Sequence, residues 1–130
     1  MSVAASQRRP RVPPFVDPPG YARRQPESTL LYRLVEQHYP PGGMVLRAVL
    51  ARLPPGCAID AHVDRHPSFS VAHRIHVPLV TNDKVRFIVG TEDIHPQQAQ
   101  AFELNNAMPH SVRNDGDQAR IHFIFDYSPA

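Results

Sequence analysis

The sequence predicts a mainly β protein, either a β-sandwich or a double-sheet jelly roll, that follows one short helix. Apolar residues recur with a period of two over most of the chain, and clusters of Pro, Gly, Asn and Asp divide these runs at roughly ten-residue spacing. The length of 130 residues fits one domain. Because Cys57 is the single cysteine, neither an intramolecular disulfide nor a multi-thiolate zinc site can hold the fold.

The helix is predicted over residues 27–39, where apolar side chains recur at helical spacing. Ser28 or Thr29 can cap its first turn, and the run Pro40-Pro41-Gly42-Gly43 ends it. Beyond this point the alternating pattern predicts five clear strands, at Val45 to Leu53, Arg74 to Val80, Val85 to Val89, Ala101 to Leu104 and Ala119 to Tyr127.

The charges divide the chain into residues 1–26, predicted to be a flexible Pro/Arg-rich arm, and a domain over residues 27–130. The arm carries five arginines, one aspartate and six of the fifteen prolines, whereas the domain has nine basic and eleven acidic residues. A mildly acidic domain lacks the cationic face that binds phosphate backbones, so we expect no nucleic-acid partner. No apolar run is long enough for a membrane span or secretory signal, which predicts a cytoplasmic protein.

A metal site is predicted from His62, Asp64 and His110. In the segment Ile59-Asp60-Ala61-His62-Val63-Asp64 the imidazole and the carboxylate are two residues apart, so an extended chain directs both to one face. A later strand that carries His110 can return beside them. Two neutral imidazoles and one carboxylate form the facial triad of non-haem Fe(II) oxygenases, which leaves positions open for cosubstrate and oxygen.

Two strands repeat the pattern Arg-x-His and could line one pocket. Arg74 and His76 share a face of the first strand, and Arg120, His122 and Asp126 share a face of the last. A buried arginine needs an anion, and the carboxylate of 2-oxoglutarate matches the guanidinium fork. The alternative is that these arginines form internal ion pairs with Asp64, Asp126 or Glu103.

The ordered motifs from Val45 to Tyr127 resemble the aspartyl/asparaginyl β-hydroxylase family of Fe(II)/2-oxoglutarate-dependent dioxygenases. The motifs are Leu53-Pro54-Pro55-Gly56 before His62-Val63-Asp64, Arg74-Ile75-His76-Val77-Pro78-Leu79, Glu103-Leu104-Asn105-Asn106 before Pro109-His110-Ser111-Val112-Arg113-Asn114, and Arg120-Ile121-His122-Phe123-Ile124-Phe125-Asp126. The resemblance implies a double-stranded β-helix (jelly roll, cupin-like). It also implies that His62 and His110 bind iron and that Arg74, His76 and Arg120 contact 2-oxoglutarate, with Arg120 on its distal carboxylate.

The resemblance further implies hydroxylation of an aliphatic C–H bond in an amino-acid residue, a free amino acid or another small substrate. Fe(II), 2-oxoglutarate and dioxygen are the expected cofactors, a small molecule or peptide is the expected partner, and Asp64 is expected to bind the metal although family members differ there. The stretch Leu50-Ala51-Arg52 lacks the hydroxyl that helps some members to hold the cosubstrate. We expect Val77, Leu79 and Phe123 to line the dry cavity around the metal.

Other residues and functions are weighed against this prediction. His66, His73 and His95 are expected to be solvent-exposed, and Cys57 is expected to be a small packed residue. Two other functions stay open: a cupin-like metal-binding or sensing module without 2-oxoglutarate turnover, and a β-sandwich interaction domain whose arm recruits a partner through its prolines.

Overall fold

The computed structural model describes residues 2–4 and 29–130, with two antiparallel-dominated sheets and one helix. A short 3₁₀ turn, Pro67–Ser70, lies between the third and fourth strands. The elements in chain order are β1 (Ser2–Ala4), α1 (Thr29–Glu36), β2 (Met44–Leu53), β3 (Ala58–His62), β4 (His73–Val80), β5 (Val85–Val89), β6 (Glu92–Ile94), β7 (Phe102–Leu104), β8 (His110–Asn114) and β9 (Arg120–Ser128).

The strands form a five-stranded sheet in the order β1-β7-β4-β9-β2 and a four-stranded sheet in the order β3-β8-β5-β6. This arrangement confirms the predicted mainly β fold with jelly-roll architecture and one short helix. The five predicted strands agree with β2, β4, β5, β7 and β9 to within one residue at each end. The short strand β6 was not predicted, because Glu92-Asp93-Ile94 has too few apolar residues to show alternation.

Two hydrophobic clusters lie on opposite faces of the five-stranded sheet. The inner cluster fills the space between the sheets and consists of Leu53, Val85, Phe87, Val89, Phe102, Leu104 and Val112. The outer cluster packs α1 against the sheet through Val35, Ile75, Ala101, Phe125 and Tyr127. Side chains alternate across a strand, so β9 directs Phe125 and Tyr127 towards the helix and Arg120 and His122 towards the interior.

Helix α1 is shorter than the predicted segment within the described residues, since it ends at Glu36 rather than Tyr39. The backbone N–H groups of His38 and Tyr39 both donate to the carbonyl of Val35, which closes the last turn before Pro40 and Pro41. Tyr39 then packs its ring near Tyr127, with 5.4 Å between ring centroids. The turn therefore fixes the helix on the outer face of the sheet.

The predicted arm, residues 1–26, lies outside the described residues except for β1, which pairs in parallel with β7. The division into arm and domain stays a prediction. In the part of the chain that the structure describes, no helix is long and apolar enough to cross a membrane. The cytoplasmic location also stays a prediction.

Candidate metal centre and anion pocket

His62 and His110 are brought together by strand pairing. His62 ends β3 and His110 begins β8, and the antiparallel register places the two residues opposite each other. Their ring centroids are 4.4 Å apart. The side chain of His110 is buried whereas that of His62 is 44% exposed, so the pair lies at the rim of the jelly roll, open to solvent on one side.

Each ring is held so that its Nε2 atom is free to bind a metal. The Nδ1 atom of His62 lies 2.8 Å from the carbonyl oxygen of Asp60, and that of His110 lies 3.0 Å from the carbonyl oxygen of Met108. A carbonyl only accepts, so both Nδ1 atoms carry the proton and donate. Both Nε2 atoms then present a lone pair, which is the form that ligates metals.

Asp64 completes the group although it lies beyond the end of β3. Its Oδ1 is 3.5 Å from His62 Nε2, and its Oδ2 is 3.6 Å from His110 Nε2. One ligand atom from each of the three residues lies within 4.8 Å of the others, a spacing that suits a shared ion. Two imidazoles and a carboxylate are the donor set of non-haem Fe(II) sites, so these residues fit a ferrous ion.

Arg74 is engaged by two carboxylates. The register of β4 and β9 places Arg74 opposite Asp126, and the guanidinium donates from Nε to Oδ1 at 2.8 Å and from Nη2 to Oδ2 at 3.0 Å. Its Nη1 donates to Asp64 Oδ2 at 3.3 Å. For Arg74, the structure therefore has the internal ion pairs that the sequence left open as an alternative, and its predicted role as a cosubstrate contact is not tested.

Arg120 is a buried cation whose Nε and Nη1 atoms have no hydrogen-bond partner within residues 2–4 and 29–130. Its exposure is 2%, and burial lowers the pKa of its guanidinium to about 10. The group therefore stays charged at neutral pH. A buried charge without a counter-ion is costly, so its environment favours an anionic ligand.

His76 and His122 form a neutral pair beside Arg120. Their Nδ1 atoms are 3.1 Å apart, so one ring donates a proton and the other accepts it. Burial above all, and also the charge of Arg120, lowers the pKa of His122 to about 3; burial likewise holds the pKa of His76 well below its usual range. His76 Nε2 has no partner among the described residues. A carboxylate there would accept from Nε2–H, which makes His122 the Nδ1 donor.

Phe87 connects this pocket with the metal centre. Its ring is nearly parallel to that of His110 at 6.4 Å and to that of His122 at 6.5 Å. Phe102 stacks on His76 at 5.0 Å. The buried histidine pair beside Arg120 is therefore one aromatic ring away from His110, inside the same jelly roll.

The expected lining of Val77, Leu79 and Phe123 is wrong. Val77 and Phe123 pack against the outer cluster under α1, and Leu79 is 41% exposed. All three lie on the face of their strand opposite to Arg74, His76 and the other inward residues. The aromatic rings of Phe87 and Phe102 provide the lining instead.

A cleft of about 390 Å³ opens beside Asp64. Its walls include Arg65, His66 and Phe69 on one side and Asn106 on the other. Asn106 is 1% exposed, and neither its Oδ1 nor its Nδ2 has a partner among the described residues. Another concavity, of about 360 Å³, includes Arg86 and Ile88 in its lining and contains no predicted site residue.

The remaining candidates are placed as follows. His66 and His95 are exposed, as predicted. His73 is half-buried and its Nδ1 contacts Glu103, whose other oxygen accepts from the Tyr39 hydroxyl at 2.5 Å, so the expected exposure of His73 is wrong. Cys57 is exposed rather than packed, because it follows the open turn at Gly56.

The sequence assigns no role to His122 beyond its place on the face of Arg120, and it leaves Asn106 open between a turn residue and a group that orients substrate or the segment before His110. The strand alternation already placed His122 on the face of Arg120. The repeated Arg-x-His pattern, which His76 shares, was the sequence signal that could have identified His122. No sequence pattern distinguishes Asn106 from a turn residue.

The sequence model for aspartyl/asparaginyl β-hydroxylases matches residues 22–129, which is most of the chain. The chain belongs to the aspartyl/asparaginyl β-hydroxylase family. This finding confirms the resemblance noted in the sequence. A comparison with curated proteins finds no match.

Solved structures similar to this β-hydroxylase family member share its cupin-type fold. The non-heme monooxygenase ThoJ, solved as a nickel complex, has a TM-score of 0.60 at 20% identity over 78% of this chain and 50% of its own. A predicted oxalate decarboxylase from Thermotoga maritima has a TM-score of 0.51 at 15% identity, over 65% of this chain and 67% of its own. The cupin domain of Schizosaccharomyces pombe Cnp3 has a TM-score of 0.50 at 14% identity, over 70% and 58%. The chain spans about half the length of the monooxygenase.

Proposed function

We propose that the protein is an Fe(II)/2-oxoglutarate-dependent dioxygenase that hydroxylates an aliphatic C–H bond of an amino-acid residue, a free amino acid or another small substrate. The observation that carries this proposal is the pairing of two features in one jelly roll: a His/Asp/His group that could hold a metal ion, and a buried arginine with two donors that have no partner among the described residues. Family membership supports the hydroxylase class.

His62, Asp64 and His110 are proposed to hold the metal. When bound, ferrous iron with three protein ligands supplies open coordination positions and the redox chemistry for attack on an unactivated C–H bond. The carbonyls of Asp60 and Met108 accept from Nδ1 of the two rings, which orients both Nε2 atoms towards the proposed metal. The protein also leaves the rim beside His62 open for ligands to enter.

Arg120 and His76 are proposed to bind 2-oxoglutarate. The Arg120 guanidinium can donate an N–H to the distal carboxylate, with Nε–H and Nη1–H both without a partner among the described residues, and His76 Nε2–H can donate to a carboxylate oxygen. Phe87 and Phe102 keep this pocket apolar, which strengthens both interactions. Arg74, the third contact that the resemblance implies, donates to Asp126 and Asp64 in the structure.

The substrate is proposed to enter the cleft beside Asp64. Asp64 is the one proposed metal ligand in the lining of this cleft, whose volume of about 390 Å³ suits a side chain or a small molecule. The unpaired amide of Asn106 on its wall is a candidate hydrogen-bonding group for that substrate.

The test is anaerobic addition of Fe(II) and then 2-oxoglutarate to the metal-free protein, followed by absorbance. We expect a weak visible charge-transfer band in the wild type, its loss in His110→Ala and Arg120→Met, and its retention in Arg86→Met, where an exposed arginine outside the site is removed. Succinate formation is then screened across free amino acids, peptides and acyl compounds for a substrate that stimulates it.

A cupin-like metal-binding or sensing module without 2-oxoglutarate turnover is the second candidate. The observation that favours it is the complete engagement of Arg74 by Asp126 and Asp64, which leaves one rather than two interior arginines for an anion. Such a module would bind Fe(II) without producing the band. A protein that binds neither Fe(II) nor 2-oxoglutarate would contradict both candidates.

A further inference from the structure

His122 is a buried histidine that belongs neither to the metal centre nor to the cosubstrate contacts that the resemblance implies. It lies on the inward face of β9, two residues after Arg120, and it is 1% exposed. The register places it opposite Pro78, so it is the diagonal cross-strand neighbour of His76 on β4. The Nδ1 atoms of the two histidines are 3.1 Å apart, and this is the hydrogen bond that the structure gives to both rings among the residues it describes.

Two phenylalanines pack against these imidazole rings. Phe102, the direct cross-strand partner of His76, stacks on it with 5.0 Å between ring centroids. Phe87 is nearly parallel to His122 at 6.5 Å and edge-on to His76 at 5.7 Å. A phenyl side chain has no hydrogen-bonding N or O atom, so these neighbours fix where the rings lie but not which ring nitrogen carries the proton.

The unpartnered atoms around His76 indicate which of the two histidines is the donor. Burial above all lowers the pKa of both rings, so each is neutral at pH 7 and carries one ring proton. His76 Nε2 has no partner among the described residues, and the nearby Arg120 also has unpartnered Nε and Nη1 atoms there. An anion beside these groups only accepts hydrogen bonds. His76 must then carry its proton on Nε2, which leaves its Nδ1 as an acceptor.

We propose that His122 is a positioning residue that donates Nδ1–H to His76 Nδ1 and so holds His76 in the tautomer that offers Nε2–H to a bound carboxylate. The inference rests on the proposed binding of 2-oxoglutarate, in which His76 donates to a carboxylate oxygen. In a neutral imidazole, the hydrogen bond made by one nitrogen decides whether the other is protonated. Without His122, Nδ1 of His76 has no donor among the described residues, and the tautomer that binds the carboxylate loses its support.

The tautomers are measured directly by two-bond proton–nitrogen NMR correlation in the metal-free protein, labelled with nitrogen-15 in histidine, at neutral pH. We expect the ring proton of His76 on Nε2 and that of His122 on Nδ1. The signals are assigned by their loss in His76→Leu and His122→Leu. A ring proton on Nδ1 of His76 would reverse donor and acceptor and overturn the proposal.

The consequence for binding is measured by calorimetry of 2-oxoglutarate with the Zn(II)-loaded protein, in which no turnover competes. His122→Leu removes the donor and should weaken binding about 10-fold, since one hydrogen bond contributes on that order. His122→Asn places an amide Nδ2–H near the position of the imidazole Nδ1, so it should retain most of the affinity. If His122 only filled space, the apolar leucine would be the better replacement. An affinity in His122→Leu that equals or exceeds that of His122→Asn would overturn the proposal.

Two controls separate this role from general damage to the protein. Zn(II) affinity should stay as in the wild type in both His122 variants, because His122 is not part of the group that could hold a metal ion. His95→Leu, which removes an exposed histidine, should leave 2-oxoglutarate affinity unchanged.

The wild-type tautomer and the His122→Asn variant keep the test decisive where His122→Leu fails to fold. In that case, near wild-type 2-oxoglutarate affinity in His122→Asn supports the proposal, and a loss of about 10-fold overturns it. A wild-type protein that binds Zn(II) but no 2-oxoglutarate would overturn the proposed function itself. The tautomer of His76 in the metal-free protein would still test His122, which distinguishes the two failures.

Discussion

Arg120 is a buried residue whose charge is not explained by packing within the described part of the chain. Its charge is buried, and two of its donors have no partner in the part of the chain that the structure describes. Replacing a buried charge with an apolar side chain of similar size is often neutral or stabilising. The fold therefore retains at this position a residue that packing alone would not select, as functional sites commonly do.

Arg120→Met is predicted to raise the free energy of unfolding of the metal-free protein by about 2 kcal/mol, because it removes an uncompensated buried charge. Urea unfolding measures the change, with Arg86→Met as the surface control. In the same variant, 2-oxoglutarate should no longer raise the melting temperature of the metal-loaded protein. A clear loss of stability in Arg120→Met would show that the guanidinium has a structural partner.

At the scale of elements, the contact between the start of β2 and the end of β9 depends on the absence of a side chain at Gly43. A Cβ atom added there would overlap the hydroxyl end of Tyr127 and lie 2.6 Å from the carbonyl oxygen of Ser128. Tyr127 belongs to the outer cluster under α1, so it has no free space to move into. The glycine thus permits the close approach of the two strands.

Gly43→Ala is predicted to destabilise the protein by about 1–3 kcal/mol through overpacking. Gly56→Ala is the control, since an added Cβ there has no atom within 4 Å, and its cost comes only from a backbone φ of 73°. Thermal unfolding followed by circular dichroism compares the two variants. Equal melting temperatures for Gly43→Ala and the wild type would contradict the predicted overlap.

The sequence predicted the strands well but not which face of a strand points inward. Alternation correctly separated Arg120 and His122 from Phe123 and Phe125 on β9. Apolarity then suggested that the phenylalanine face lines the interior, whereas that face packs under α1 and the polar face lines the jelly roll. The grouping of His62 with Asp64 was easier to predict than the lining of the interior, because the spacing of these two residues is local. The pairing of Arg74 with Asp126 and Asp64 depends on register and a loop, which one sequence does not specify.

At the scale of the whole molecule, the buried histidines make stability depend on pH. The pKa of His122 in the folded protein is about 3, and the ordinary value is 6.5. At pH values between these two, the unfolded chain binds a proton on this residue that the folded protein does not. Stability is therefore full above about pH 6.5 and falls as the pH decreases towards 3. His76 acts in the same direction, because burial also lowers its pKa.

The metal-free protein is predicted to lose stability between pH 6.5 and pH 5, with His122 contributing up to about 1.4 kcal/mol per pH unit. Urea unfolding at several pH values gives the slope. His122→Leu should flatten it, whereas substitution of the exposed His95 by leucine should leave it as in the wild type. A stability that stays constant across this window would show that the folded protein binds the proton as readily as the unfolded chain.

The two faces of β9 have different surroundings: Phe125 and Tyr127 pack against α1, whereas Arg120 and His122 face the interior. We expect substitutions on the helix side to change stability, and substitutions on the interior side to change the proposed binding of 2-oxoglutarate. Substitutions that improve the packing between α1 and the sheet could therefore raise the stability first. The added stability would then allow destabilising substitutions on the inward face of the same nine-residue strand.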